Sequence, residues 1–125
     1  MICDTTFLID FRQEVESGMA GPARTFMARH RSQKLQTTVI SVGELSVIFR
    51  TLTEARAFFA HYHIHRLTLE IAYVAASLDR ELMASGQRLG ENDNWIAGFC
   101  RYYRQPLVSR DDGFDRVRGL RRLSY

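Results

Sequence analysis

The sequence has almost no lysine. Of its 17 basic residues only Lys34 is lysine, and the rest are arginine. Cysteine is scarce too: Cys3 and Cys100 make neither a disulfide framework nor a Cys-x-x-Cys pair for zinc or redox chemistry. Both lie in apolar patterns and read as small core residues of a reducing compartment. With only two prolines and eight glycines, the chain is neither collagen-like nor low-complexity. No apolar run approaches the ~18 residues of a membrane span. No basic segment followed by an apolar stretch opens the chain, so no secretory leader is expected. Gly-x-Gly-x-x-Gly, Walker and Gly-x-Ser-x-Gly patterns are all missing, which argues against a nucleotide cofactor and a serine hydrolase. The expectation is a soluble cytoplasmic protein.

What is there fits one domain over residues 1–125, 46% hydrophobic and 25% charged. At this length about two thirds of the unfolded surface can be buried, so the fold needs no disulfide or metal. The net charge is +3. That permits a nucleic-acid partner without establishing one. The planar arginine fork suits phosphate; a codon bias toward arginine accounts for the same count. The excess is uneven. Residues 101–125 hold seven Arg and three Asp, whereas residues 1–100 are close to neutral.

Short apolar runs alternate with helical periodicity. Met1 to Cys3 reads as a strand, and Leu8, Phe11 and Val15 as a helix ended by Gly18 and Gly21. Pro22 opens a second helix carrying Phe26, Met27 and His30. Leu35 to Ile40 reads as a strand. Ser41 with Glu44 has the spacing of a capping box, before a helix through Val42, Leu45, Ile48 and Phe49. Thr53 is placed to cap a helix to about Ala60, and Tyr62 to Leu67 reads as a strand with Tyr62, Ile64 and Leu67 inward. Ile71, Val74, Ala75, Leu78 and Leu82 form the clearest helical stripe, ended by Gly86. Asn92 or Asp93 is placed to cap a helix burying Ile96, Ala97 and Cys100 or Tyr103. Pro106 to Ser109 reads as a strand, and Leu120 to Tyr125 as an edge strand. Strands separated by helices predict an α/β fold: a short, mostly parallel central sheet with helices on both faces.

Ligands of such sheets bind at the carboxyl ends of the strands. Four acids fall there: Asp4, Glu44, Asp93 and Asp111. Each has an ordinary explanation alone, since acids favour helix N-termini and turns. Together they are costly. Two carboxylates about 5 Å apart repel by roughly 3 kcal/mol at an effective dielectric near 20. A cation relieves that, and an all-oxygen set suits magnesium or manganese over zinc. His61, His63 and His65 alternate, but no acid or cysteine supports them, so a polar strand face is the simpler reading. Phe58, Phe59, Tyr62, Tyr102 and Tyr103 have the spacing of core or interface aromatics, although such rings also stack on bases.

Four segments carry a resemblance. Met1-Ile2-Cys3-Asp4-Thr5-Thr6 resembles the opening of PIN-domain proteins, a strand ending in Asp-Thr-Asn or Asp-Thr-Ser. Val39-Ile40-Ser41-Val42-Gly43-Glu44-Leu45 is similar to the family's strand-to-helix motif with its Glu. Asn92-Asp93-Asn94-Trp95-Ile96-Ala97 is similar to Asn-Asp-x-x-Ile-Ala, and Leu107-Val108-Ser109-Arg110-Asp111-Asp112-Gly113-Phe114 to Leu-Val-Thr-x-Asp-x-x-Phe. The ordered set looks most like the VapC-type toxins of toxin–antitoxin pairs. The resemblance implies a three-layer PIN-like fold and an endoribonuclease dependent on Mg2+ or Mn2+. It implies an RNA substrate, a small antitoxin partner and a homodimer. Asp4, Glu44, Asp93 and Asp111 become the catalytic and metal-holding acids, with Asp112 as a substitute for Asp111. Thr6 stands at the small polar orienting position, and Arg110 is placed to face the substrate backbone. The stretch 49–53 is short where many relatives carry a longer helical hairpin. A catalytically inactive RNA-binding or protein-interaction module on the same fold is the alternative.

Overall fold

The computed structural model describes residues 1–125. Its sheet has five strands: β1 (Ile2–Cys3), β2 (Gln36–Thr38), β3 (His63–His65), β4 (Leu107–Val108) and β5 (Arg122–Leu123). Their order is β3-β2-β1-β4-β5 and every neighbouring pair is parallel. Six helices connect them: α1 (Thr5–Ser17), α2 (Pro22–Arg29), α3 (Val39–Ser46), α4 (Leu52–Phe59), α5 (Leu69–Ala84) and α6 (Glu91–Tyr103). A 3-10 turn over Asp112–Arg116 precedes β5.

Strand alternation divides the core in two. Ile2 pairs with Leu107 in register, and both pack with Ile71, Leu78, Ile96 and Phe99 of α5 and α6. One residue on, Cys3 and Val108 point the other way, into Phe7, Leu8, Phe26, Leu45 and Phe59 of α1 to α4. The sheet is therefore buried on both faces. This is the three-layer α/β arrangement expected from the alternation of strands and helices.

Several boundaries differ from the sequence expectation. β2 stops at Thr38, and Val39 and Ile40 already belong to α3. The Thr38 hydroxyl accepts from the Ser41 amide at 3.3 Å and so caps α3. Ser41 is thus inside the helix, and Glu44 lies beyond its first turn. In the same way Thr51, not Thr53, caps α4 by accepting from the Glu54 amide at 3.2 Å. α6 starts at Glu91 after Gly90, so neither Asn92 nor Asp93 is its cap. β3 is only three residues long; Tyr62 and Ile64 pack partly against the core half around Cys3 and Val108, whereas Leu67 is 43% exposed. Val15 and Ile48 are also exposed, because α1 turns that side outward and α3 has ended by Ser46. Gly86 terminates α5 with φ +68°, a conformation other residues adopt at a cost. Gly98 lets α6 approach α5 closely. A Cβ there would lie 2.7 Å from the Ala75 Cβ.

The histidine triplet is divided. His63 and His65 share one face of β3, as the alternation predicts, with ring centroids 4.7 Å apart. His65 is buried, its Nε2 lies 2.8 Å from the Gln36 amide oxygen, and its ring lies 4.3 Å from Tyr103. Burial holds its pKa below the ordinary value. Phe58, Phe59 and Tyr62 form an aromatic group with Phe49, consistent with a packing role. Both cysteines are buried and free, and burial pushes the Cys3 thiol up to about 12. No helix is long and apolar enough to cross a membrane.

Candidate active site

β1 and β4 are neighbours, and the Asp4 amide donates to the Val108 carbonyl at 3.1 Å. Asp4 and Ser109 therefore leave the carboxyl edge of the sheet side by side. Asp4 is also the N-cap of α1, its Oδ1 accepting from the Phe7 amide at 2.7 Å. It is 4% exposed. Burial raises its pKa to about 6, and the charges of Asp93 and Asp111 push the same way; the Ser109 hydroxyl and the Phe7 amide oppose them. A capping aspartate on an open surface would have no such rise.

Asp93 sits in the first turn of α6. Its pKa is raised by partial burial first and then by Asp111 and Glu44. The four acids expected from the sequence are thus electrostatically coupled: Asp4 to Asp93 and Asp111, and Asp93 to Asp111 and Glu44. Asp111 is exposed at the mouth of this group, where its Oδ1 accepts from the Gly113 amide at 2.8 Å. Its own amide donates to the Ser109 hydroxyl at 3.0 Å. Asp112 stands on the following 3-10 turn and enters neither coupling.

Glu44 is held from two sides. The Thr5 hydroxyl donates to one of its oxygens and Asn92 Nδ2 donates to the other at 2.9 Å. Thr5 Oγ1 also lies 3.0 Å from the buried Ser41 hydroxyl. Thr5, Ser41, Asn92 and Ser109 are therefore polar neighbours of the candidate acids that the acidic pattern alone does not reveal. Their signal in the sequence is adjacency, since each lies within three residues of a candidate acid. Thr6, the orienting position implied by the resemblance, makes no side-chain hydrogen bond to the acids. Arg110 is exposed; its Nη1 pairs with Asp10 Oδ2 at 3.0 Å, and that oxygen also accepts from the Tyr125 hydroxyl at 2.6 Å.

No three histidine, cysteine or acidic side chains are gathered closely enough to hold a metal by themselves. The donor set is nonetheless all oxygen, which fits magnesium or manganese chemistry. Magnesium in particular binds through one or two carboxylates and completes its shell with water and substrate phosphate, so a ready-made cage is not required. The raised pKa of Asp4 points the same way, because a buried carboxylate beside other acids is favoured by a cation.

Fold and site together define an α/β protein with a group of acids, Asp4 buried and Asp111 exposed, at the carboxyl edge of a parallel sheet. Comparison with protein families matches residues 1–120 to the PIN domain. The chain belongs to the PIN-domain family, whose members are nucleases. Among solved structures it is similar to a chain of VapBC2 from Rickettsia felis bound to a promoter DNA fragment. The identity is 15%, the TM-score 0.80, and the match covers 98% of this chain and 96% of the other. It is similar to a chain of DNA-bound VapBC from Salmonella typhimurium at 19% identity and TM-score 0.80, with the same coverages. VapBC-5 from Mycobacterium tuberculosis, a member of a toxin–antitoxin family, is 26% identical with a TM-score of 0.60. That match covers 73% of this chain and 82% of the other. Comparison with curated proteins found no match.

Proposed function

We propose that this chain is a metal-dependent endoribonuclease and the toxin of a toxin–antitoxin pair. One observation carries the chemical part. Asp4 is buried beside Asp93 and Asp111 with its pKa raised to about 6, in a chain of the PIN family. A buried carboxylate pressed by two further acids is relieved by a bound divalent cation, which suits it to hold one. The biological part is supported by the likeness to chains of VapBC structures.

In this reading Asp4, Asp93, Asp111 and Glu44 hold one or two Mg2+ or Mn2+ ions. A divalent cation there supplies Lewis acidity toward a phosphodiester oxygen and makes water a stronger nucleophile. The capping bond from the Phe7 amide holds the Asp4 carboxylate in one orientation. Thr5 and Asn92 hold the Glu44 carboxylate, and that preorganisation lowers the cost of assembling the reacting groups. Asp111, at the mouth, is the acid most accessible to substrate. The expected partners are an RNA, a small antitoxin and a second copy of the chain.

The second reading is a catalytically inactive interaction module. It is favoured by the lack of three acids gathered into a chelating set. The experiment that separates the two is cleavage of matched RNA and DNA oligonucleotides by the purified chain, with magnesium or manganese and with a chelator. Metal-dependent cleavage of RNA supports the nuclease. Cleavage of DNA alone changes the substrate class, because the acids themselves do not sense a 2′-hydroxyl. No cleavage under any metal favours the interaction module.

A further inference from the structure

The amino-terminal edge of the sheet carries a feature that the acidic site does not use. A cleft of about 300 Å3 lies between the end of α6 and the turn before β5, lined by Arg101, Arg104, Gln105, Arg118, Leu120 and Arg121 among others. It has four arginines and no acidic lining residue. Arg101 is engaged, its guanidinium bonded to Glu81 and, at 3.2 Å, to the Arg118 carbonyl. The other three are exposed and have no carboxylate partner. Of the other three arginines of the C-terminal segment, Arg110 and Arg122 are paired to Asp10 and Asp115, and Arg116 donates to the Arg88 carbonyl at 3.4 Å. Arg104 is also the one non-glycine residue with positive φ, +52°. Like charges collected without counter-charges repel one another, and a polyanion relieves that repulsion.

We infer that this cleft is an exosite for the phosphate backbone of RNA, separate from the acidic edge. The inference rests on the proposed nuclease reading for its choice of RNA. Guanidinium forks match phosphate oxygens in pairs. A protein partner needs an apolar centre, and Leu120 and Pro106 supply little of one. A membrane surface favours a flat basic face with exposed apolar residues, and this face is concave. β4 runs from the cleft towards Asp111 and is two residues long. At ~3.3 Å per residue the cleft and the acids lie on the order of 10 Å apart along the strand direction. An RNA that touches both must fold back or wrap around the edge of the sheet, so the exosite selects long or structured RNA over short strands.

The test compares the parent chain with the triple variants Arg104→Ala/Arg118→Ala/Arg121→Ala and Arg104→Lys/Arg118→Lys/Arg121→Lys. Binding of a long hairpin RNA is followed by fluorescence anisotropy in chelator across a salt series. Cleavage of a short single-stranded oligonucleotide is followed with magnesium and with manganese. The alanine triple should bind the hairpin about tenfold more weakly or worse. Its log K against log salt slope should fall by about 2, as expected for three lost phosphate contacts. The lysine triple should keep the parent slope, and short-oligonucleotide cleavage should stay within about twofold for all three chains. Hairpin affinity and slope unchanged in the alanine triple overturn the exosite, even if cleavage is robust. A lysine triple that loses slope as the alanine triple does also overturns it. So does loss of a co-purifying protein without change in RNA binding. If no chain cleaves any RNA yet the slope still falls, the nuclease reading fails and the cleft stands.

Discussion

Asn92 and Glu44 are 48 residues apart in sequence and joined by a 2.9 Å hydrogen bond, Nδ2 of one to Oε1 of the other. With the Thr5 hydroxyl on the second oxygen, this bond fixes a carboxylate that would otherwise rotate freely on α3. Glu44 thus acts as the meeting point of the segments that begin at β1, β2 and α6.

Thr5→Val and Asn92→Ala should each release Glu44 without unfolding the chain. Displacing a positioned group by about 1 Å can cost ~100-fold in rate. The expected result is a 10- to 100-fold fall in kcat, with stability changed by about 1 kcal/mol or less. Cleavage kinetics and thermal melting check this together. Full activity in the double variant would show that Glu44 needs no positioning.

Asp4 makes stability depend on pH. Its folded pKa is about 6 against an ordinary value of 3.8, so the folded state holds the proton more tightly than the unfolded state. The sign follows directly: the contribution is fully present below 3.8 and is lost as pH rises through about 6. The metal-free protein should therefore lose roughly 3 kcal/mol from this group between pH 4 and 7.5. Asp4→Asn keeps an oxygen for the Phe7 amide and removes the charge. It should abolish cleavage, stabilise the chain at pH 7.5 and flatten the profile; denaturant unfolding at several pH values measures it. A variant less stable than the parent at pH 7.5 would contradict this account.

Asp93→Asn should also abolish cleavage, and it should weaken the stabilisation that magnesium gives the parent. Binding to the folded state alone raises the melting temperature by mass action. The parent should melt higher with magnesium, and Asp93→Asn should respond less. His63→Ala, in contrast, should stay within a few fold of parent activity, since His63 is an exposed residue of β3 far from the coupled acids in sequence and on another strand.

Gly98→Val should destabilise through the α5 to α6 contact. Any Cβ there meets Ala75 at 2.7 Å for its Cβ and 3.1 Å for its Cα, and the latter is backbone. Overpacking of this kind costs about 1–3 kcal/mol. Gly43→Ala is the control, because nothing lies within 4 Å of its Cβ position. Chemical denaturation of both separates packing from loss of a helical glycine.

Much of the fold was legible because it rests on local physics. Leu8, Ile71 and Leu78 recur at helical spacing and are buried where that spacing places them. The short runs at Ile2–Cys3 and Leu107–Val108 are buried strands of a parallel sheet, and Gly86 ends α5. The candidate acids were legible for a related reason: Asp4 and Asp111 come after strands, Asp93 lies in the first turn of α6 and Glu44 on the helix after β2, and parallel topology brings such positions to one edge. Helix starts were less so. Thr38 and Thr51 outcompeted Ser41 and Thr53 because a cap needs extended backbone as well as a hydroxyl. Only Thr38 and Thr51 have both.

By itself, then, the sequence determined the class of fold, the order of its elements and which acids to propose for the site, since periodicity and residue type act over a few residues. The tertiary structure alone decided which neutral groups hold those acids. It chose Thr5 over Thr6 by bringing α1 against α3, and it gave Arg110 to Asp10. It also gathered Arg104, Arg118 and Arg121 around one cleft. Each of these depends on contacts between segments separated by many residues, and a hydrogen bond or an unpaired charge has no periodicity to announce it.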